Sequence, residues 1–202
     1  GAVLIFDEIT SGFRMCAGGL HIKYGINPDI AVFAKSMANG YAMAAVIGSE
    51  KVMSAAQTTF ISSTNWTERI GPVAAITTIK KYIRENVANH IIRIGDEVKA
   101  VWKKMANKHG FRLNISGLPT LCSFSFDGKY DQEKMTFFTI EMLKRGFLGY
   151  RQFKPSFSHS DNEVAKYSRA VDEIFAKIAE TPHDNLLTTD SAHSGFSRLT
   201  KE

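Results

Sequence analysis

Ala2-Val3-Leu4-Ile5-Phe6-Asp7-Glu8 is an apolar run that stops abruptly in two acids. Further on, Ile30-Ala31-Val32-Phe33-Ala34-Lys35-Ser36 repeats the pattern and stops in a lysine. Short continuous apolar runs of this kind read as strands buried on both faces of a parallel sheet. Ligands of open α/β sheets sit beyond the carboxyl ends of the strands, and both charges fall there. The two runs therefore predict an α/β fold with Asp7 and Lys35 delivered to a common site.

The first run continues as Ile9-Thr10-Ser11-Gly12-Phe13-Arg14, and Tyr24-Gly25-Ile26-Asn27-Pro28-Asp29 leads into the second. In this order and spacing, the blocks resemble the aspartate motif and the lead-in to the Schiff-base lysine of class III aminotransferases. The glutamate-1-semialdehyde 2,1-aminomutase branch is the most similar, and the likeness runs on weakly to about Ala179. It implies a fold-type I enzyme that depends on pyridoxal 5'-phosphate (PLP), with part of the large PLP-binding domain followed by a small α+β C-terminal domain. An opening inside a buried-type strand, set against the long N-terminal portion of that family, leads to the expectation that this is the C-terminal part of a longer chain.

Within the resemblance, Lys35 is the candidate imine-forming lysine. A lysine amine attacks a carbonyl only after losing its proton, and once the substrate displaces it, it is placed to move a proton between the substrate Cα and the cofactor's C4′ carbon. Asp7 is the candidate partner of the pyridine nitrogen, where a carboxylate keeps the ring protonated and able to accept electrons. Without the resemblance, Lys35 reads as a surface lysine after a strand. Asp7-Glu8 then reads as a helix cap or a metal-binding acid pair.

Thr64, in Ser62-Ser63-Thr64-Asn65-Trp66, aligns with the family threonine that donates to the cofactor phosphate of the neighbouring subunit. That alignment implies a homodimer with shared active sites, and a hydroxyl just ahead of a helix suits an anion. The family commonly has Gly-Asn-Pro shortly afterwards, whereas this chain has Thr67-Glu68-Arg69. Thr58 and Thr59 compete for the role, and a plain loop or N-cap threonine is the structural alternative. After the lysine, Ser36, Asn39 and Tyr41 are placed to line the pocket, and Met37, Asn39, Tyr41 and Met43 are bulkier than the glycine-rich family pattern, which indicates either an altered substrate space or simple packing. Arg14 reads as a structural ion-pair partner.

The 202 residues are 44% hydrophobic, ample for a core. The net charge of +5 is scattered over amphipathic stretches such as Lys80-Lys81, Lys103-Lys104 and Lys144-Arg145, so a solvated surface reads better than a nucleic-acid groove. Two cysteines, Cys16 and Cys122, make neither a disulfide framework nor a zinc site, and none of the six histidines has a partner at metal-ligand spacing. No apolar stretch approaches a membrane span, and the cytoplasm is the default compartment.

The organisation divides into 1–89, ending in a long helix, 90–180 as the small α+β domain, and a polar tail over 181–202. Strands are expected at Ala2–Phe6, Ile30–Ala34, Ala44–Gly48 and Leu121–Phe126. Helices are expected at Ser49–Ala56, from about Thr67 to Asn89, from Ile91 to His109 and over Gln132–Arg145. A last helix opens at the capping box Ser160-Asp161-Asn162-Glu163. The tail is expected to be mobile or to lie on the surface.

Transamination through a Schiff base on Lys35 is the reading adopted. The intramolecular aminomutase reaction is its alternative, since both use the same machinery. Two rivals remain: a P-loop ATPase with Asp7-Glu8 as its Walker B acids, and a PLP-type fold retained for binding without catalysis.

Overall fold

The computed structural model describes residues 1–64, 67–193 and Gly195. Phe196 and Leu199 of the tail, and Asn65 and Trp66 beside Thr64, lie outside the described residues. The chain forms two compact units, Gly1–Ile92 and Arg93–Glu202.

In the first unit, a three-stranded sheet runs β1 (Ile5–Glu8), β2 (Ile30–Phe33), β3 (Ala45–Gly48). β1 and β2 are parallel, with Asp7 opposite Val32 and Glu8 opposite Phe33, while β3 is antiparallel to β2. The first strand begins later than its apolar run suggests. The backbone nitrogens of Asp29 and Ile30 both donate to the Leu4 carbonyl, and the Leu4 nitrogen donates to the Asp29 carboxylate. Pairing starts there, so Asp7 and Glu8 close the strand instead of following it.

Alternation then gives the two acids opposite fates. Phe6 and Glu8 lie on the face that packs with Ala31, Phe33, Met37, Ala38 and Ala75. Ile5 and Asp7 occupy the other face, where Ile5 is 57% exposed. The expectation of a strand buried on both faces is thus met on one face only among the described residues.

Between the strands lies a short helix α1 (Leu20–Lys23), and beyond β3 comes α2 (Glu50–Met53) followed by a 3-10 turn over Ser54–Thr58. Helix α3 (Ile70–Arg84) is shorter than the 67-to-89 expectation at both ends. Its start is set by the Glu68 carboxylate, which accepts from the Ile70 and Gly71 nitrogens. Its end is set by Asn86, whose φ of 50° is left-handed and stops helical propagation. Pro72 falls in the first turn, where no amide is missed.

Helix α4 (Val87–Lys108) buries Ile91, Ile94, Val98, Trp102 and Met105, which recur along one face at the helical period. In the second unit, α5 (Asp131–Lys144) and α6 (Asp161–Glu180) accompany an antiparallel sheet of β4 (Leu113–Ser116), β5 (Cys122–Phe126) and β6 (Gln152–Phe153). The capping box forms as expected, the Ser160 and Glu163 side chains capping each other's backbone. β4 and β6 were not foreseen, because four alternating residues and two residues carry too little pattern.

The core of this unit is aromatic. Trp102, Phe124, Phe138 and Phe175 are at most 1% exposed, and the Trp102 indole donates to the Tyr167 hydroxyl at 2.9 Å, satisfying both polar atoms inside it. Gly95 admits a close approach, since a Cβ there would lie 1.9 Å from the Pro119 carbonyl oxygen. Up to residue 193 the tail lies largely exposed along the second unit. Leu186 is buried, the Ala192 nitrogen donates to the Thr136 hydroxyl, and the Gln132 amide donates to the Ala192 carbonyl. Two bonds from its backbone tie it to α5, and Leu186 joins the core of the unit.

Glu141 on α5 is 4% exposed and accepts from Lys144, Arg145 and Lys177. Burial alone would raise its pKa, but the three cations outweigh it and hold the carboxyl down to about 2. Its folded-state pKa lies below the unfolded value, so the stabilisation is fully present above about pH 4.5 and fades as the pH falls towards 2. Glu141→Gln should cost roughly 2 kcal/mol at pH 7 and about half as much at pH 3. Urea unfolding of parent and variant at both pH values measures the difference.

Candidate active site

The carboxyl ends of β1 and β2 carry the site. Parallel pairing brings Asp7 and the residues after Phe33 to the same edge of the sheet. Lys35, two residues past the end of β2, has a left-handed φ of 47°, which an L-residue with a side chain adopts at a cost. It opens a 3-10 turn, Lys35–Met37, anchored by the buried Met37 and Ala38. The Lys35 ammonium donates to the Thr10 hydroxyl at 2.6 Å.

Asp7 is exposed on the open face of β1. Its Oδ1 accepts from the Ile9 nitrogen at 3.0 Å, and no cation pairs with it among the described residues. A carboxylate with one oxygen bound and the other without a cationic partner suits a protonated ring nitrogen. An amine without a carboxylate partner suits an aldehyde. This donor set fits the reactive end of PLP.

Glu8 is the residue that sequence reasoning missed. It is 1% exposed, and its carboxylate accepts from the Ser11 hydroxyl and from the His21 nitrogen at 3.0 Å, with His21 Nδ1 also at 3.0 Å. Burial alone would raise its pKa. The bonds from Ser11, the backbone of His21 and Leu20, and the His21 ring outweigh burial and hold it low. The carboxylate thereby clamps the segment after β1 to the start of α1. The signal was available in the period of two, since the second acid of a strand-final pair must face opposite to the first.

The segment between them is tightly built. The Gly12 nitrogen donates to the Glu8 carbonyl at 2.8 Å, and a Cβ at Gly12 would meet the Phe33 ring at 2.6 Å. Arg14 Nε donates to the Thr10 carbonyl at 2.7 Å. The expected ion pair of Arg14 is absent among the described residues, and its partner is a backbone carbonyl. Burial lowers its pKa.

Thr64 lies in an exposed turn. Its competitors are occupied locally, since the Thr58 and Thr59 hydroxyls donate to the Ala55 and Ala56 carbonyls. Asn39 and Tyr41, with Arg69, Val73 and Thr77, line a cavity of about 500 Å³ between the turn after Lys35 and α3.

A family model described as aminotransferase class-III matches residues 1–174. The 3-aminobutyryl-CoA aminotransferase of Cloacimonas acidaminovorans is 33% identical over 189 residues, covering 87% of this chain and 44% of that protein. The glutamate-1-semialdehyde 2,1-aminomutase of Methanocaldococcus jannaschii is 25% identical over 190 residues, covering 86% of this chain and 44% of its own length. Among solved structures, the PLP internal aldimine form of the FumI protein of Sphingopyxis sp. MTA144 superposes with a TM-score of 0.83 at 25% identity. That match covers 93% of this chain and 47% of FumI. The chain thus spans about half the length of these relatives.

Glu8→Ala should leave the His21 and Leu20 nitrogens without an acceptor and cost about 2 kcal/mol. Glu8→Gln should cost less, because an amide oxygen still accepts. Denaturant midpoints of the three proteins give the ranking.

Proposed function

Since the chain belongs to the class-III aminotransferase family, we propose that it moves an amino group between a small-molecule amino donor and a carbonyl acceptor, with PLP as cofactor. The α/β fold is that of the fold-type I PLP-dependent transaminases. The observation that carries the proposal is the parallel pairing of β1 and β2, which delivers Asp7 and Lys35 to one edge of the sheet.

Bound PLP supplies an aldehyde for an amine and a ring that takes up electrons. Lys35 Nζ would hold the aldehyde carbon, release it to the donor amine, and then take the proton from the donor Cα and pass it to that former aldehyde carbon. Asp7 holds the proton on the ring nitrogen through its carboxylate. Thr64 donates its hydroxyl to the phosphate of a neighbouring subunit's cofactor, which makes a homodimer with shared sites part of the same proposal. A cytoplasmic location belongs to it as well. No helix among the described residues is long and apolar enough to cross a membrane.

Transamination is preferred to the aminomutase reaction on two grounds. The residues after Lys35 and Thr64 depart from the aminomutase-like pattern, and a relative named as an aminotransferase is 33% identical, against 25–29% for relatives named as aminomutases. The aminomutase relatives keep intramolecular transfer as the second reading. The Walker B reading of Asp7-Glu8 falls with the family match. Its physical reason is the Glu8 carboxylate, buried and spent on Ser11 and His21 instead of facing a metal.

Borohydride reduction of the full-length, PLP-supplemented protein should leave a pyridoxyl-phosphate adduct on the peptide carrying Lys35. Lys35→Ala should abolish the adduct and slow amino transfer by about a thousandfold. An adduct at another lysine, or none, would overturn the reading.

A further inference from the structure

We infer that Thr10 is a positioning residue for the Lys35 amine, an assignment that rests on the reading of Lys35 as the aldehyde-binding lysine. Three observations carry it. Thr10 Oγ1 lies 2.6 Å from Lys35 Nζ, and no carboxylate pairs with that amine among the described residues. Thr10 itself is held on both sides: Arg14 Nε grips its carbonyl at 2.7 Å, and its neighbour Ser11 is pinned by the buried Glu8. Lys35 enters from a left-handed backbone conformation, which the fold maintains on its own side of the contact.

The chemistry favours a hydroxyl over a carboxylate here. A carboxylate would stabilise the ammonium and hold the amine in the form that cannot attack a carbonyl. A threonine hydroxyl accepts from the ammonium and donates to the free amine. It therefore holds Nζ in place in both protonation states and leaves its deprotonation to the ligand. The β-branch restricts the hydroxyl to few rotamers, so the acceptor is as fixed as the backbone that bears it. Asp7 remains free for the ring nitrogen because its own Oδ1 turns back to the Ile9 nitrogen.

The test follows two reactions of Lys35 in full-length protein stripped of PLP, comparing the parent with Thr10→Val, Thr10→Ser and Thr10→Asp. The first is trace acetylation with acetic anhydride across pH, read peptide by peptide. In Thr10→Val the freed lone pair should acetylate about fivefold faster on the high-pH plateau, with the other lysines unchanged. Ser should restore the parent rate, and Asp should move the Lys35 profile up by about one pH unit.

The second reaction is PLP uptake followed by absorbance, which should be about fivefold slower in Thr10→Val and restored in Thr10→Ser. A reagent arriving at random gains from a freed amine, whereas a ligand delivered by a site gains from a placed one. A merely structural threonine would not produce opposite changes. If Thr10→Val acetylates at the parent rate and Thr10→Asp leaves the profile unmoved, the inference is overturned. Should the parent itself fail to take up PLP on Lys35, the proposed function falls, while acetylation still decides the role of Thr10.

Discussion

Parallel pairing between β1 and β2 is the constraint from which the site follows. Antiparallel strands would send Asp7 and Lys35 to opposite ends of the sheet. In parallel register they end side by side, and the residues just past each strand are free to leave the ladder. The long connection that parallel strands need is used here for α1 and the tight segment from Ile9 to Gly18, which returns over the same edge. The site and its scaffolding are therefore one piece of chain.

Within that piece, the two adjacent acids divide the labour by facing opposite ways. Asp7 stays on the open face and keeps its carboxylate available. Glu8 is desolvated and must be satisfied internally, which it is by one hydroxyl, backbone nitrogens and an imidazole. Burying a carboxylate costs free energy, but once fully hydrogen-bonded it rigidifies the segment that carries Thr10. An acid left available for the proposed role and a structural acid are thus adjacent in sequence and distinguished only by the pleat.

Much of this was legible before any coordinates. The apolar runs gave β1 and β2, the Ile91-to-Met105 stripe gave α4, and Ser160 with Glu163 gave the start of α6. Each of these rests on local periodicity or local capping chemistry. What could not be read depends on distant partners. α3 stops early because Asn86 turns left-handed, β4 exists only by pairing with β5, and the tail is tied down through Thr136 and Gln132. In the site, Lys35 and Asp7 were visible as charges ending apolar runs. Thr10, Ser11 and His21 were not, because nothing local signals that a loop hydroxyl will meet a lysine twenty-five positions away.

The left-handed backbone at Lys35 has an evolutionary corollary. Glycine is the residue that conformation suits, and a glycine there would relax strain of about 1–3 kcal/mol. A variant that has lost the amine would then be sturdier than its ancestor. Selection for robustness alone would erode this position, and under the proposed function the need for the amine opposes it.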